Sequence, residues 1–158
     1  MLEERSKEIQ QFYKDHLNSC LKLMLQINFT NQMIFSFAPP NISLLGTETD
    51  FDLLAKLIID LTNFEGKEME ITSLDFVQNI NENVKVIFRN EKNANQLACF
   101  DNLGNLRFTL DESYWDRLFR FFILLSWKKS TFYLNQNEEA LSDLSLHQEC
   151  NFICSSEF

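Results

Sequence analysis

The stretch Val84-Lys85-Val86-Ile87-Phe88-Arg89 is followed by residues 96–100 and by Leu106-Arg107-Phe108-Thr109-Leu110. It then runs into Ser113-Tyr114-Trp115-Asp116 and a long apolar segment, and its reading decides the fold. The first three segments are short, apolar and partly alternating, which is strand patterning. Residues 91–94 and 102–105 between them are rich in turn formers. From Ser113 the apolar period becomes helical and holds to about Lys129, with Ser113-x-x-Asp116 as the start signal.

The same grammar holds upstream. Residues 69–76 form a fourth strand candidate in this region. Thr49-x-x-Asp52 opens a helix in which Phe51, Leu54, Leu57, Ile58 and Leu61 share a face and Glu65-Gly66 closes the element. Before it, residues 21–26 alternate, residues 33–37 are apolar, Pro39-Pro40 breaks the run, and residues 42–45 are a short strand. Residues 3–20 read as an amphipathic helix through Ile9, Phe12, Tyr13, Leu17 and Cys20. After Tyr133 the chain turns polar and acidic, so residues 135–158 are expected as a mobile tail with a short helix at 138–146.

A shift of 64 residues aligns 31 positions without a gap, about a quarter of them identical. Asn31-Gln32 falls on Asn95-Gln96, Asn41 on Asn105, Glu48 on Glu112, Asp52 on Asp116, Leu54 on Leu118, Ile59 on Ile123 and Leu61 on Leu125. The expected fold is therefore α+β: antiparallel sheets, three main helices and a duplicated strand-strand-strand-helix unit. The domain would cover residues 1–134, as helix 3–20, repeat one at 21–64 and repeat two at 65–130. The acidic tail would follow it.

Composition narrows the function. With only Gly46, Gly66 and Gly104, no GxGxxG or Walker-type loop can be written. The opening MLEERSKEIQQ is charged and has no apolar centre, which predicts no secretory leader. Cys20, Cys99, Cys150 and Cys154 are then expected as reduced thiols in the cytoplasm or nucleus, and no apolar stretch is long enough for a membrane span. The net charge of −9 argues against a uniformly basic nucleic-acid binder, yet residues 84–129 hold eight Lys and Arg against five Asp and Glu.

No catalytic signature emerges. His16 lies on the first helix and His147 in the expected tail, and no serine sits in a GxSxG context. His147, Cys150 and Cys154 form an H-x2-C-x3-C cluster, short of the four ligands of structural zinc unless Cys20 or Cys99 joins it. No metal site, cofactor or enzyme activity is assigned on this basis.

Two binding surfaces stand out. Helix 113–128 spreads apolar side chains over about 200° of arc, wider than the stripe a helix on one sheet needs. Phe121, Leu124 and Trp127 are therefore the candidate residues for a protein partner or homo-oligomer, and the expected function is a non-catalytic interaction subunit or adaptor. The alternative is a single-stranded nucleic-acid-binding module. Alternation turns Lys85, Arg89, Arg107 and the ring of Phe100 to one sheet face, where cations track phosphates and a ring stacks a base.

The element order over residues 21–128, strands followed by a helix and used twice, resembles the Whirly and Pur-type single-stranded nucleic-acid-binding proteins. That resemblance implies a nucleic-acid-binding sheet face. It rests on element order and on no motif, and the chain departs from it by opening with a helix and by having one fewer strand in the first unit.

Overall fold

The computed structural model describes residues 24–33, 38–134 and 146–157. Among these residues, ten strands and two α-helices follow one another as two similar halves. The first half is β1 (Leu25–Thr30), β2 (Asn41–Leu45), α1 (Glu48–Thr62), β3 (Glu68–Glu70), a single 3-10 turn (Ile71–Ser73), β4 (Val77–Asn79) and β5 (Val86–Asn90). The second is β6 (Asn95–Phe100), β7 (Leu106–Leu110), α2 (Glu112–Trp127), β8 (Thr131–Leu134), β9 (His147–Gln148) and β10 (Asn151–Ser155).

The strands build two five-stranded sheets, ordered β4-β1-β2-β10-β8 and β9-β6-β7-β5-β3. Read in that direction, both sheets pair parallel, antiparallel, parallel, antiparallel. In each half the first, second and fourth strands stay together, while the third and fifth cross to the other sheet. Neither half completes a sheet alone.

This arrangement corrects the expected fold in three respects. The sheets are mixed and not antiparallel, because only β1–β2 and β6–β7 among the central pairs close as local hairpins. The strand exchange then sets β10 parallel to β2 and β5 parallel to β7. The repeating unit is strand-strand-helix followed by three strands, not three strands followed by a helix. The described residues hold two α-helices and not three; the expected helix 3–20, the strand 33–37 for the most part, and the short helix 138–146 for the most part lie outside them.

The expected tail is also corrected. Phe152, Ile153, Cys154, Ser155 and Ser156 are all buried, and β10 is flanked by β2 and β8. Phe152 meets Phe108 of the other sheet edge-on, with ring centroids 4.8 Å apart. A strand covered on both sides needs only a short apolar run, and here three apolar residues between polar neighbours suffice.

The helices are capped by side chains just upstream of the expected positions. Thr47, with extended backbone, accepts from Asp50 N–H, and the Asp50 carboxylate accepts from Thr47 N–H at 2.9 Å, closing a capping box. The box is thus Thr47-x-x-Asp50 and not Thr49-x-x-Asp52. At α2 the cap is Asp111, which accepts from the N–H groups of Ser113 and Tyr114, and not Ser113 itself.

The helices pack on each other more than on any strand. Phe51 of α1 lies 5.8 Å from Phe122 of α2, and Trp115 lies 4.9 Å from Phe88 of β5. Trp115 also donates its indole N–H to the Arg89 carbonyl at 3.1 Å, which satisfies the one polar atom of this fully buried ring. One core thus joins both sheets and both helices, and each large aromatic in it contributes about 1.5–3 kcal/mol by burial.

Candidate functional site

The surface of α2 follows from its period. Trp115, Leu118, Phe122 and Leu125 form the buried stripe, three to four residues apart. Leu124 and Trp127 fall outside it and are 54% and 82% exposed. Phe121 lies between the two sides, half-buried, its ring 5.3 Å from that of Phe132 on β8. Arg117, Arg120, Phe121 and Leu124 line a shallow hollow of about 220 Å³. Arg120 pairs with Asp116 at 3.0 Å. Lys128 and Lys129, just past the helix end, are exposed and make no ion pair among the described residues. The result is an apolar ridge with a basic rim on a protein that is acidic overall.

The second candidate surface has a different character. Lys85, Arg89 and Arg107 do share a region of the second sheet, but each is matched by carboxylates. Lys85 lies 3.8 Å from Glu70. Arg89 lies 3.9 Å from Glu68 and 3.7 Å from Glu91. Arg107 binds Asp101 at 2.8 Å and also contacts Glu68. The Arg107 guanidinium holds the Asp101 carboxyl down at about 2, and the two carboxylates raise Arg107 in turn. Three cations therefore face four carboxylates. Phe100 packs edge-on against Phe29 across the two halves, centroids 5.2 Å apart. Arg89 and Arg107 meet at Glu68 with Lys85 nearby on Glu70, whereas Phe100 turns to the other sheet, so the expected face is not assembled as a whole and its charge is spent within the protein.

A third cluster was not assembled by the sequence reading. Cys99 of β6 and His147 of β9, with Glu149 just after it, place one thiol, one imidazole nitrogen and one carboxylate oxygen all within 4.8 Å of one another. A bulge makes this possible. Between Gln96 and Cys99 the β6–β7 register slips, and Ala98 takes φ +54°, a rare conformation for a residue with a side chain. Leu97, Ala98 and Cys99 are consequently all buried, which breaks the expected in-out alternation of this strand. Just beyond the bulge, Phe100 N–H donates to Glu149 Oε2 at 2.8 Å. Glu149 Oε1 then faces His147 Nε2 at 3.6 Å.

Of the H-x2-C-x3-C residues, only His147 belongs to this cluster. Cys154 is fully buried in the core, and burial pushes its thiol well above the ordinary range. Cys150 is buried as well, its thiol pushed up to about 12 by desolvation and by Glu149. No local signal in the sequence marks the cluster, because its members meet only through the β6–β9 pairing.

A cleft of about 710 Å³ lies elsewhere. Asn63, Glu65, Asp111, Glu112 and Asp116 are among the residues that line it, and it holds neither histidine nor cysteine. Among the described residues no helix is long and apolar enough to cross a membrane. Comparison with protein families, with curated proteins and with solved structures gave no match.

Proposed function

We propose that this chain is a non-catalytic interaction subunit that binds a protein partner through the C-terminal half of α2. The observation that carries this reading is the exposure of Trp127 and Leu124 beside the half-buried Phe121 on a helix that is otherwise firmly anchored. Tryptophan is among the residue types enriched in interface hot spots. Lys128 and Lys129, beside an Arg120 shared with Asp116, select the partner's chemistry: an amphipathic segment with apolar residues for the ridge and carboxylates near its end. The nucleic-acid alternative is disfavoured by the pairing of Lys85, Arg89 and Arg107, since a phosphate backbone would have to displace four carboxylates.

The test is selection of a displayed library of helical peptides on the wild-type chain, with the Trp127→Asp variant as counter-target. Both side chains changed in Trp127→Asp and Leu124→Asp lie outside the core, so both variants keep the wild-type Tm. The expected outcome is enrichment of acidic amphipathic sequences that bind each variant at least tenfold more weakly. Peptides that bind the variants equally well, or a selection without enrichment, would refute the proposal. Phe121→Asp is unsuitable here, because that ring also supports Phe132.

A further inference from the structure

We propose that Cys99, His147 and Glu149 form a binding site for a zinc-type divalent transition metal, independent of the α2 surface. Cys99 and His147 come from two strands paired in parallel, through Gln96↔His147 and Leu97↔Gln148, and Glu149 directly follows β9, so the backbone already fixes two sides of the site. Their donor atoms lie within 4.8 Å of one another, and the imidazole and carboxylate within 3.6 Å. Zn–S, Zn–N and Zn–O bond lengths place tetrahedral ligand atoms about 3.3–3.7 Å apart. The cluster therefore needs to close by about 1.5 Å at most, and His147, 60% exposed at a sheet edge, has room to turn.

The site has the support that metal ligands usually receive. Glu149 Oε2 is held by the Phe100 N–H, which orients the carboxylate and leaves Oε1 directed at the cluster. The bulge at residues 96–99, with its strained Ala98, holds Cys99 beside β9 in a position that a regular strand would not provide. Exposed His147 and Glu149 give the ion a path in from solvent.

The ligand set selects the metal. One sulfur, one nitrogen and one oxygen suit Zn²⁺ and its neighbours, whereas Ca²⁺ and Mg²⁺ prefer oxygen alone. Three protein ligands leave the fourth position to water. On binding, the Cys99 S–H bond breaks, the S–metal bond forms, and the proton passes to buffer. The same residues also have the composition of a Cys-His-acid triad. The geometry favours the metal: Cys99 Sγ lies within hydrogen-bond reach of the His147 and Leu97 carbonyl oxygens, at 3.3 and 3.6 Å, and makes no hydrogen bond to the imidazole.

The experiment begins with the whole chain stripped by a chelator and titrated with Zn²⁺ against a competing chelator, then with Co²⁺ for its spectrum. One equivalent should bind, with a thiolate-to-cobalt charge-transfer band and tetrahedral d–d absorption. Loss of an outer partner of a metal site costs about 10–100-fold in affinity, so His147→Gln and Glu149→Gln should each weaken binding at least that much. Cys99→Ser should abolish the charge-transfer band, and Cys150→Ser should leave it intact. His147 is exposed, so His147→Gln remains informative even if Cys99→Ser misfolds. Absence of stoichiometric binding, binding that survives His147→Gln, or a band lost with Cys150 and not with Cys99 would overturn the assignment. So would rapid alkylation of Cys99 in the metal-free chain that disappears in His147→Gln, the mark of a dyad.

Discussion

Replacing Phe152 with alanine separates two opposite views of the C-terminal region. A mobile tail would absorb the change without loss. In the structure, Phe152 is 1% exposed on an interior strand, opposite Ile42 and Leu134, with its ring against Phe108. Phenylalanine-to-alanine changes at such sites cost about 3–5 kcal/mol, the removed ring and the cavity both contributing. A chain of 158 residues unfolds with an entropy of about 0.33 kcal/mol per kelvin near 60 °C, from about 2.1 cal/mol/K per residue. The expected fall in Tm is therefore about 9–15 °C, read by circular dichroism or by the fluorescence of buried Trp115. A shift below about 2 °C would remove β10 from the core and with it the two-sheet topology.

Three further outcomes follow from local geometry. Thr47→Ala opens the capping box of α1 and should lower stability by about 1 kcal/mol in urea denaturation, while Thr49→Ala should leave it nearly unchanged. The Asp101 carboxyl, lowered to about 2 by Arg107, contributes stability that is complete above its ordinary 3.8 and is lost as pH falls towards 2. Asp101→Asn should therefore flatten the acid limb of stability between about pH 4 and pH 2, measured by thermal melts. Cys154 is fully buried with its thiol raised, so mass spectrometry after iodoacetamide treatment at pH 8 should find it unmodified in the native chain and modified in urea.

Much of the fold was legible where local chemistry decides. The 106–110 strand has the expected bounds, and 86–90, 95–100 and 41–45 lie within two residues of expectation, because turn formers bracket short apolar runs. Both helices were visible from their apolar period. The α1 cap was displaced by two residues because two Thr-x-x-Asp frames overlap at Thr47 and Thr49, and the extended Thr47 is the one that caps the first turn; at α2 the cap is Asp111, two residues before Ser113. Residues 69–76 read as one strand but hold the end of β3, a 3-10 turn and the approach to β4, and Thr72 in that turn accepts from the Val86 N–H. The strand exchange was not legible at all. Nothing in residues 131–134 or 151–155 states which sheet they join, because pairing between distant strands is fixed by the assembled core.

At the candidate sites, charge identity was legible and charge balance was not. Lys85, Arg89 and Arg107 were correctly placed near one another, but Glu68 lies 21 residues before Arg89 and reaches the site only through β3–β5 pairing. The Cys99 cluster was hidden for the same reason, its members being joined by the β6–β9 contact.

The insertion of β10 beside β2 also sets the order of events while the chain is being made. Asn151 sits against Asn41, a partner synthesised 110 residues earlier. At about 5–20 residues per second, β2 waits about 5–20 s with one edge and its apolar residues Ile42 and Leu44 bare. β5, by contrast, waits only for β7, which ends 20 residues after it. The half made first thus stays incomplete until residues 151–155 emerge. In that interval its open edge is a target for chaperones or, at high expression, for other nascent copies.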